Sequence, residues 1–124
     1  MVLLGVAHTD TEADAYAIAD KLVGLRVFPD DDGKMNRSVA DAGGSVQVVS
    51  QFTLYADARK GRRPSFVAAA APDGAAPLVE AVRTRVDSHG VPTAAGAFGE
   101  HMAVTLCNDG PVTILLETEG GRIL

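Results

Sequence analysis

The run Ser45-Val46-Gln47-Val48-Val49-Ser50-Gln51-Phe52-Thr53-Leu54-Tyr55 constrains the fold more than any other part of the sequence. β-branched and aromatic residues dominate it, and the turn pair Gly43-Gly44 leads into it. It therefore predicts a strand over residues 45–55. The two faces read Val46, Val48, Ser50, Phe52, Leu54 and Gln47, Val49, Gln51, Thr53, Tyr55, because side chains alternate across a strand. Ser50 and Gln51 form a polar island in this apolar segment. Departures from core patterning are where function is usually found.

The apolar run at 1–7 predicts a further strand. Thr9-Asp10-Thr11-Glu12 offers N-cap candidates and early acids, and Ala15, Ile18, Ala19 and Leu22 then follow at helical spacing up to Gly24. Residues 25–28 read as a strand ended by Pro29 and the turn 30–33. Residues 56–72 read as a long loop, basic and then alanine-rich. A second helix is predicted over 73–88, carrying Leu78, Val79, Val82 and Val86 on one stripe and closed by His89-Gly90. Residues 90–99 read as a connection. Two strands at 102–107 and 112–118 are joined by Asn108-Asp109-Gly110-Pro111, a concentrated turn signal. The sum is an α+β fold with two helices and a largely antiparallel sheet, in a single domain over 1–124.

Composition narrows the function classes. With 47% hydrophobic residues and 13 scattered glycines among 124, the chain is neither a disordered nor a collagen-like polymer. No apolar run approaches the roughly 20 residues that cross a bilayer, and the apolar start lacks the basic flank of a secretory signal. Cys107 is the single cysteine, so no internal disulfide forms and a reducing, cytoplasmic setting is expected. A net charge of −5 argues against non-specific adhesion to nucleic acid. Its distribution is uneven: Arg59, Lys60, Arg62 and Arg63 surround Gly61 within five positions. Guanidinium groups on such a loop bind phosphate oxygens bidentately, although a solvated charged loop is the commoner meaning of such a run.

Ordinary routes to catalysis are missing. His8, His89 and His101 are far apart and no Cys-x-x-Cys pair exists, so no metal is expected. Lys34 spoils the calcium-like run Asp30-Asp31-Asp32-Gly33. No phosphate-binding glycine loop is present, and Ser50 lacks a nucleophile elbow. Two segments remain, Ser50-Gln51-Phe52-Thr53-Leu54 and Asn108-Asp109-Gly110-Pro111-Val112-Thr113. Taken singly, the first is a strand with a polar solvent face and the second a tight hairpin connection.

Together the two segments resemble the signatures of the D-aminoacyl-tRNA deacylase family, a Ser-Gln-Phe-Thr-Leu strand and an Asn-x-Gly-Pro-Val-Thr loop. The likeness continues through Leu3-Leu4-Gly5-Val6, Gly33-Lys34-Met35-Asn36, Gly43-Gly44-Ser45 and Arg63-Pro64-Ser65-Phe66, and so runs along essentially the whole chain. It implies a barrel-like fold lacking the opening hairpin with which family members begin. It also implies a cofactor-free hydrolase that cleaves D-aminoacyl esters of tRNA, and glycine mischarged on tRNA for alanine.

The resemblance further implies a homodimer in which each Gly-Pro loop enters the partner's site. There a cis Gly110–Pro111 bond would turn both carbonyls to the substrate ammonium and exclude an L side chain. Ser50, Gln51 and Thr53 would bind the carbonyl and ribose, partly through backbone N–H groups, and Phe52 would pack near the terminal adenosine. The tRNA 2′-hydroxyl would assist water attack. Arg59, Lys60, Arg62 and Arg63 would meet acceptor-end phosphates. No membrane or DNA partner is implied. Rival expectations are a catalytically silent tRNA-binding module and an esterase using Thr53 as nucleophile, for which no adjacent base is discernible.

Overall fold

In the computed structural model, which describes residues 1–124, the chain runs β1 (Val2–Leu4), α1 (Glu12–Gly24), β2 (Phe28–Pro29), β3 (Met35–Arg37) and β4 (Val46–Ser50). A 3-10 turn (Phe52–Tyr55), α2 (Pro72–Ser88), β5 (Thr93–Ala95), β6 (Thr118–Glu119) and β7 (Arg122–Ile123) follow. β4 lies between β1 and β5, both parallel to it, in register Val2↔Val48 and Val46↔Thr93. Parallel neighbours need crossovers, and α1 and α2 lie within the β1–β4 and β4–β5 connections respectively. β2–β3 and β6–β7 are separate antiparallel hairpins.

The period-2 pattern of β4 explains the core. Val46 and Val48 point into a cluster with Ala15, Ile18 and Ala19 of α1, Val82 and Val86 of α2, and Val39 and Val91. Gln47 is exposed, and Val49 is also buried. The helices are fastened to each other at their C-terminal ends. Asp20 accepts from Arg85 Nε at 2.7 Å and from a terminal guanidinium nitrogen at 3.0 Å, while His89 Nε2 lies 2.6 Å from it. The Arg85 guanidinium also stands 5.4 Å from the centre of the Tyr16 ring.

Buried Asp14 fastens α1 to the C-terminal hairpin. Its carboxylate accepts from the Thr11 N–H at 3.0 Å, the Thr11 hydroxyl at 2.9 Å and the Gly121 N–H at 2.7 Å. These bonds, that from Gly121 first, hold the carboxyl below its ordinary range against the opposing effect of burial. No helix is long and apolar enough to cross a membrane.

Several expectations are corrected. The main sheet is parallel rather than antiparallel, and no barrel forms. The strand predicted to reach Tyr55 stops at Ser50, and the strand of 25–28 survives only as Phe28–Pro29. Within 90–99, β5 appears where only a connection was expected. Residues 102–107 form no strand, and the ladder expected over 112–118 begins only at Thr118. The reason is common to these cases. A strand exists by pairing, and neither 102–107 nor 112–117 has a neighbouring strand within the chain.

Candidate active site

The polar island stands at the carboxyl end of β4, where open parallel sheets present their ligand sites. The Gln51 N–H donates to Leu4 O at 2.8 Å, extending the β1–β4 ladder by one bond. The chain then folds into the 3-10 turn, with Leu54 N–H on Gln51 O at 3.3 Å and Ala56 N–H on Thr53 O at 3.1 Å. This turn sits directly on Gly5. A Cβ there would lie 3.0 Å from Tyr55 Cε2 and 3.2 Å from Leu54 Cβ. Gly5 thus permits the close approach that ends the strand, a long-range requirement that the pattern of 45–55 does not contain.

The turn gathers Ser50, Gln51, Phe52 and Thr53 in one place. Gln51 Nε2 donates to Thr53 Oγ1, which leaves the threonine hydroxyl hydrogen free to donate elsewhere. A primary amide accepts no proton at neutral pH, so this contact supplies Thr53 with no general base. Phe52 is 57% exposed, and its ring meets Phe66 edge-on at 5.1 Å between centroids. Phe66, placed against Phe52 by this contact, has no role in the sequence reading, although Arg63-Pro64-Ser65-Phe66 is among the motifs of the resemblance.

The basic loop is closed at its neck. The Asp57 N–H donates to Ser65 O at 2.8 Å, and the Ser65 N–H donates back at 2.9 Å. Inside it, Arg59 grips the Asp57 carboxylate through Nε at 2.8 Å and a terminal nitrogen at 2.7 Å. This fork holds the Asp57 carboxyl below its ordinary range. Arg59 is therefore spent on the loop itself, whereas Lys60, Arg62 and Arg63 stand exposed without ion pairs.

Gly110 and Pro111 lie on a separate exposed loop, joined by a cis peptide bond. Asn108 braces this loop: its Oδ1 accepts from the Val112 N–H at 3.2 Å, and its Nδ2 donates to Thr113 Oγ1 at 3.4 Å. Gly110 has φ +155°, and a Cβ on it would come 3.0 Å from the Val112 backbone nitrogen. The side-chain hydrogen bonds of this loop are internal, and none joins it to 50–55. Asn108 and Thr113, which brace the loop, have no role in the sequence reading, and their presence in the Asn-x-Gly-Pro-Val-Thr spacing is the signal that marks them.

The profile of the family described as "D-Tyr-tRNA(Tyr) deacylase" matches residues 1–117. A D-aminoacyl-tRNA deacylase of Thermus aquaticus is 57% identical over 118 residues, covering 95% of this chain and 78% of that protein. The chain belongs to the D-aminoacyl-tRNA deacylase family. As a member of that family it is a hydrolase. The D-aminoacyl-tRNA deacylase of Heliobacterium modesticaldum is 56% identical, with 98% of this chain and 81% of that protein covered. Among solved structures, the c-Myc DNA Unwinding Element Binding Protein superposes with a TM-score of 0.87 at 36% identity, over 95% of this chain and 80% of that one. The parallel three-stranded sheet with two helices is thus a deacylase-family fold.

Proposed function

We propose that this chain hydrolyses the ester between a D-amino acid, or glycine, and the 3′-terminal ribose of tRNA, without a cofactor and in the cytoplasm. Water adds to the ester carbonyl, the bond from carbon to the ribose oxygen breaks, and that oxygen leaves with a proton. Ser50, Gln51 and Thr53 position the ester and stabilise the charge developing on its carbonyl oxygen. Phe52 packs on the terminal adenosine. The ribose 2′-hydroxyl of the substrate assists the water, since the side-chain hydrogen bond of Thr53 is to an amide and not to a base. That contact is the observation that carries the reading, because it favours a positioning role over covalent catalysis.

The chiral choice belongs to Gly110 and Pro111, whose carbonyls hold the substrate ammonium and whose backbone fills the space of an L side chain. They act on the ester held by a second copy of the chain in a homodimer, a reading supported by the self-contained bracing of their loop. Lys60, Arg62 and Arg63 meet acceptor-end phosphates, and Arg59 supports them from within the loop.

The test is Gly110→Ala assayed on matched D- and L-tyrosyl-tRNA. D-ester cleavage is expected to fall at least about a hundredfold, equivalent to about 2.7 kcal/mol, with the far-UV circular dichroism unchanged. Undiminished D-ester cleavage would remove the chiral role of this loop.

A further inference from the structure

Beside the 3-10 turn, and outside the residues assigned above to the ester, lies a cavity of about 230 Å³ lined by His8, Tyr55, Asp57, Ser65, Val67 and Ala68. Two antiparallel bridges hold its walls. One joins Asp57 to Ser65 and the other joins Ala7 to Ala69, with the His8 N–H on Ala68 O at 3.1 Å. Ser65 and Val67 line this cavity, whereas Phe66 between them turns its ring to Phe52. The cavity and the Phe52 stacking face therefore share one short wall, back to back.

The chemistry of the lining is specific. Tyr55 offers a half-buried aromatic ring, and the side chains of His8 and Ser65 offer a ring nitrogen and a hydroxyl not drawn into side-chain hydrogen bonds within the chain. Asp57 is the one carboxylate in the lining, and Arg59 neutralises it with two hydrogen bonds. The Asp57–Ser65 neck of the basic loop forms part of the same wall, so Lys60, Arg62 and Arg63 belong to a loop that springs from the cavity rim. An aromatic face with polar edge groups and cations close by is the constellation that binds single-stranded nucleic acid. The volume lies below that of drug-sized ligand pockets and suits one nucleoside.

Building on the deacylase reading, we infer that this cavity is a second nucleotide subsite, taking the nucleotide on the 5′ side of the terminal adenosine. Its base stacks on Tyr55 and meets His8 and Ser65 at its polar edge. Its phosphates lie toward the basic loop. The subsite then reads two nucleotides of the acceptor end together, one at Phe52 and one at Tyr55.

The experiment compares D-tyrosyl esters of adenosine and of the dinucleotide cytidylyl-adenosine, using the unmodified chain and a His8→Ala/Ser65→Ala variant. For the unmodified chain, the added nucleotide is expected to raise kcat/KM about tenfold, the scale of one stacked base. The double variant is expected to lose most of that gain. Equal kcat/KM on the two esters with the unmodified chain would overturn the subsite and leave the deacylase reading standing. A gain fully retained by the double variant would overturn its assignment to this cavity. Cleavage of neither ester, nor of D-tyrosyl-tRNA, would instead overturn the deacylase reading on which the subsite rests.

Discussion

Residues 46–50 and 112–117 have similar strand-like sequences and opposite fates. Val48 is 1% exposed and Leu115 is 77% exposed. β4 finds a parallel neighbour on each edge and two helices over one face, so its apolar residues vanish into the core. The 102–117 region finds no neighbouring strand, and Val104, Leu106, Ile114 and Leu115 remain at least 47% exposed. Apolar content therefore decides that a segment wants burial, and pairing decides whether it obtains it within one chain. A concentration of exposed apolar residues in one region marks a surface that associates, and here it flanks the loop proposed to serve the partner's site.

Three substitutions would break or sharpen this contrast. The largest effect is expected from Val86→Asp, which buries an unpaired carboxylate where the side chain is fully enclosed. A loss above about 4 kcal/mol is expected, measured as collapse of the urea unfolding midpoint; a midpoint within a tenth of the original would show that the helix–sheet core is not what holds the fold. Next comes Leu115→Asp on the exposed face. It should leave the circular dichroism spectrum intact while turning the proposed dimer into a monomer by sedimentation velocity at micromolar concentration. A dimer that persists would move the association surface away from 102–117.

The smallest effect belongs to Asp20→Asn, which removes the link between the helix ends. The Asp20 carboxyl is held down at about 2 by Arg85 first and His89 second. A lowered folded-state value stabilises above the ordinary carboxylate range, and this contribution is lost as pH falls from about 3.8 toward 2. The pair is well exposed and screened by solvent, so the melting temperature should drop only slightly at neutral pH. The difference between variant and original should vanish below pH 2, and a difference that survives there would assign the effect to something other than the ion pair.

How far sequence carried the fold follows from the range of the determining contacts. Both helices were legible because their stripes and caps are local: Thr11 stands among the cap candidates before the stripe Ala15, Ile18, Ala19 and Leu22 of α1, and Leu78, Val82 and Val86 mark α2. The end of β4 was not, because it depends on Gly5 making room for Tyr55 from fifty residues away. Parallel order was equally hidden, since no feature of 46–50 states which neighbours it will take. At the site, Ser50, Gln51, Phe52 and Thr53 were readable as a run and the structure gathers them on one turn. Asn108 bracing Val112 and Thr113 was not, because hydrogen bonds of that kind emerge only once the loop is folded.

The Asp14–Gly121 contact has a consequence for the order of synthesis. The two Thr11 donors reach Asp14 as soon as the first turn of α1 exists, but the third donor is encoded 107 residues later. At about 5–20 residues per second, a ribosome needs several seconds to bring Gly121 out after Asp14. Through that interval the buried carboxylate lacks the donor that lowers its pKa most. The first turn of the first helix takes its third donor from a residue made 107 positions later, so a nascent chain that stalls before Gly121 leaves the Asp14 carboxylate short of that donor however well its helices have formed.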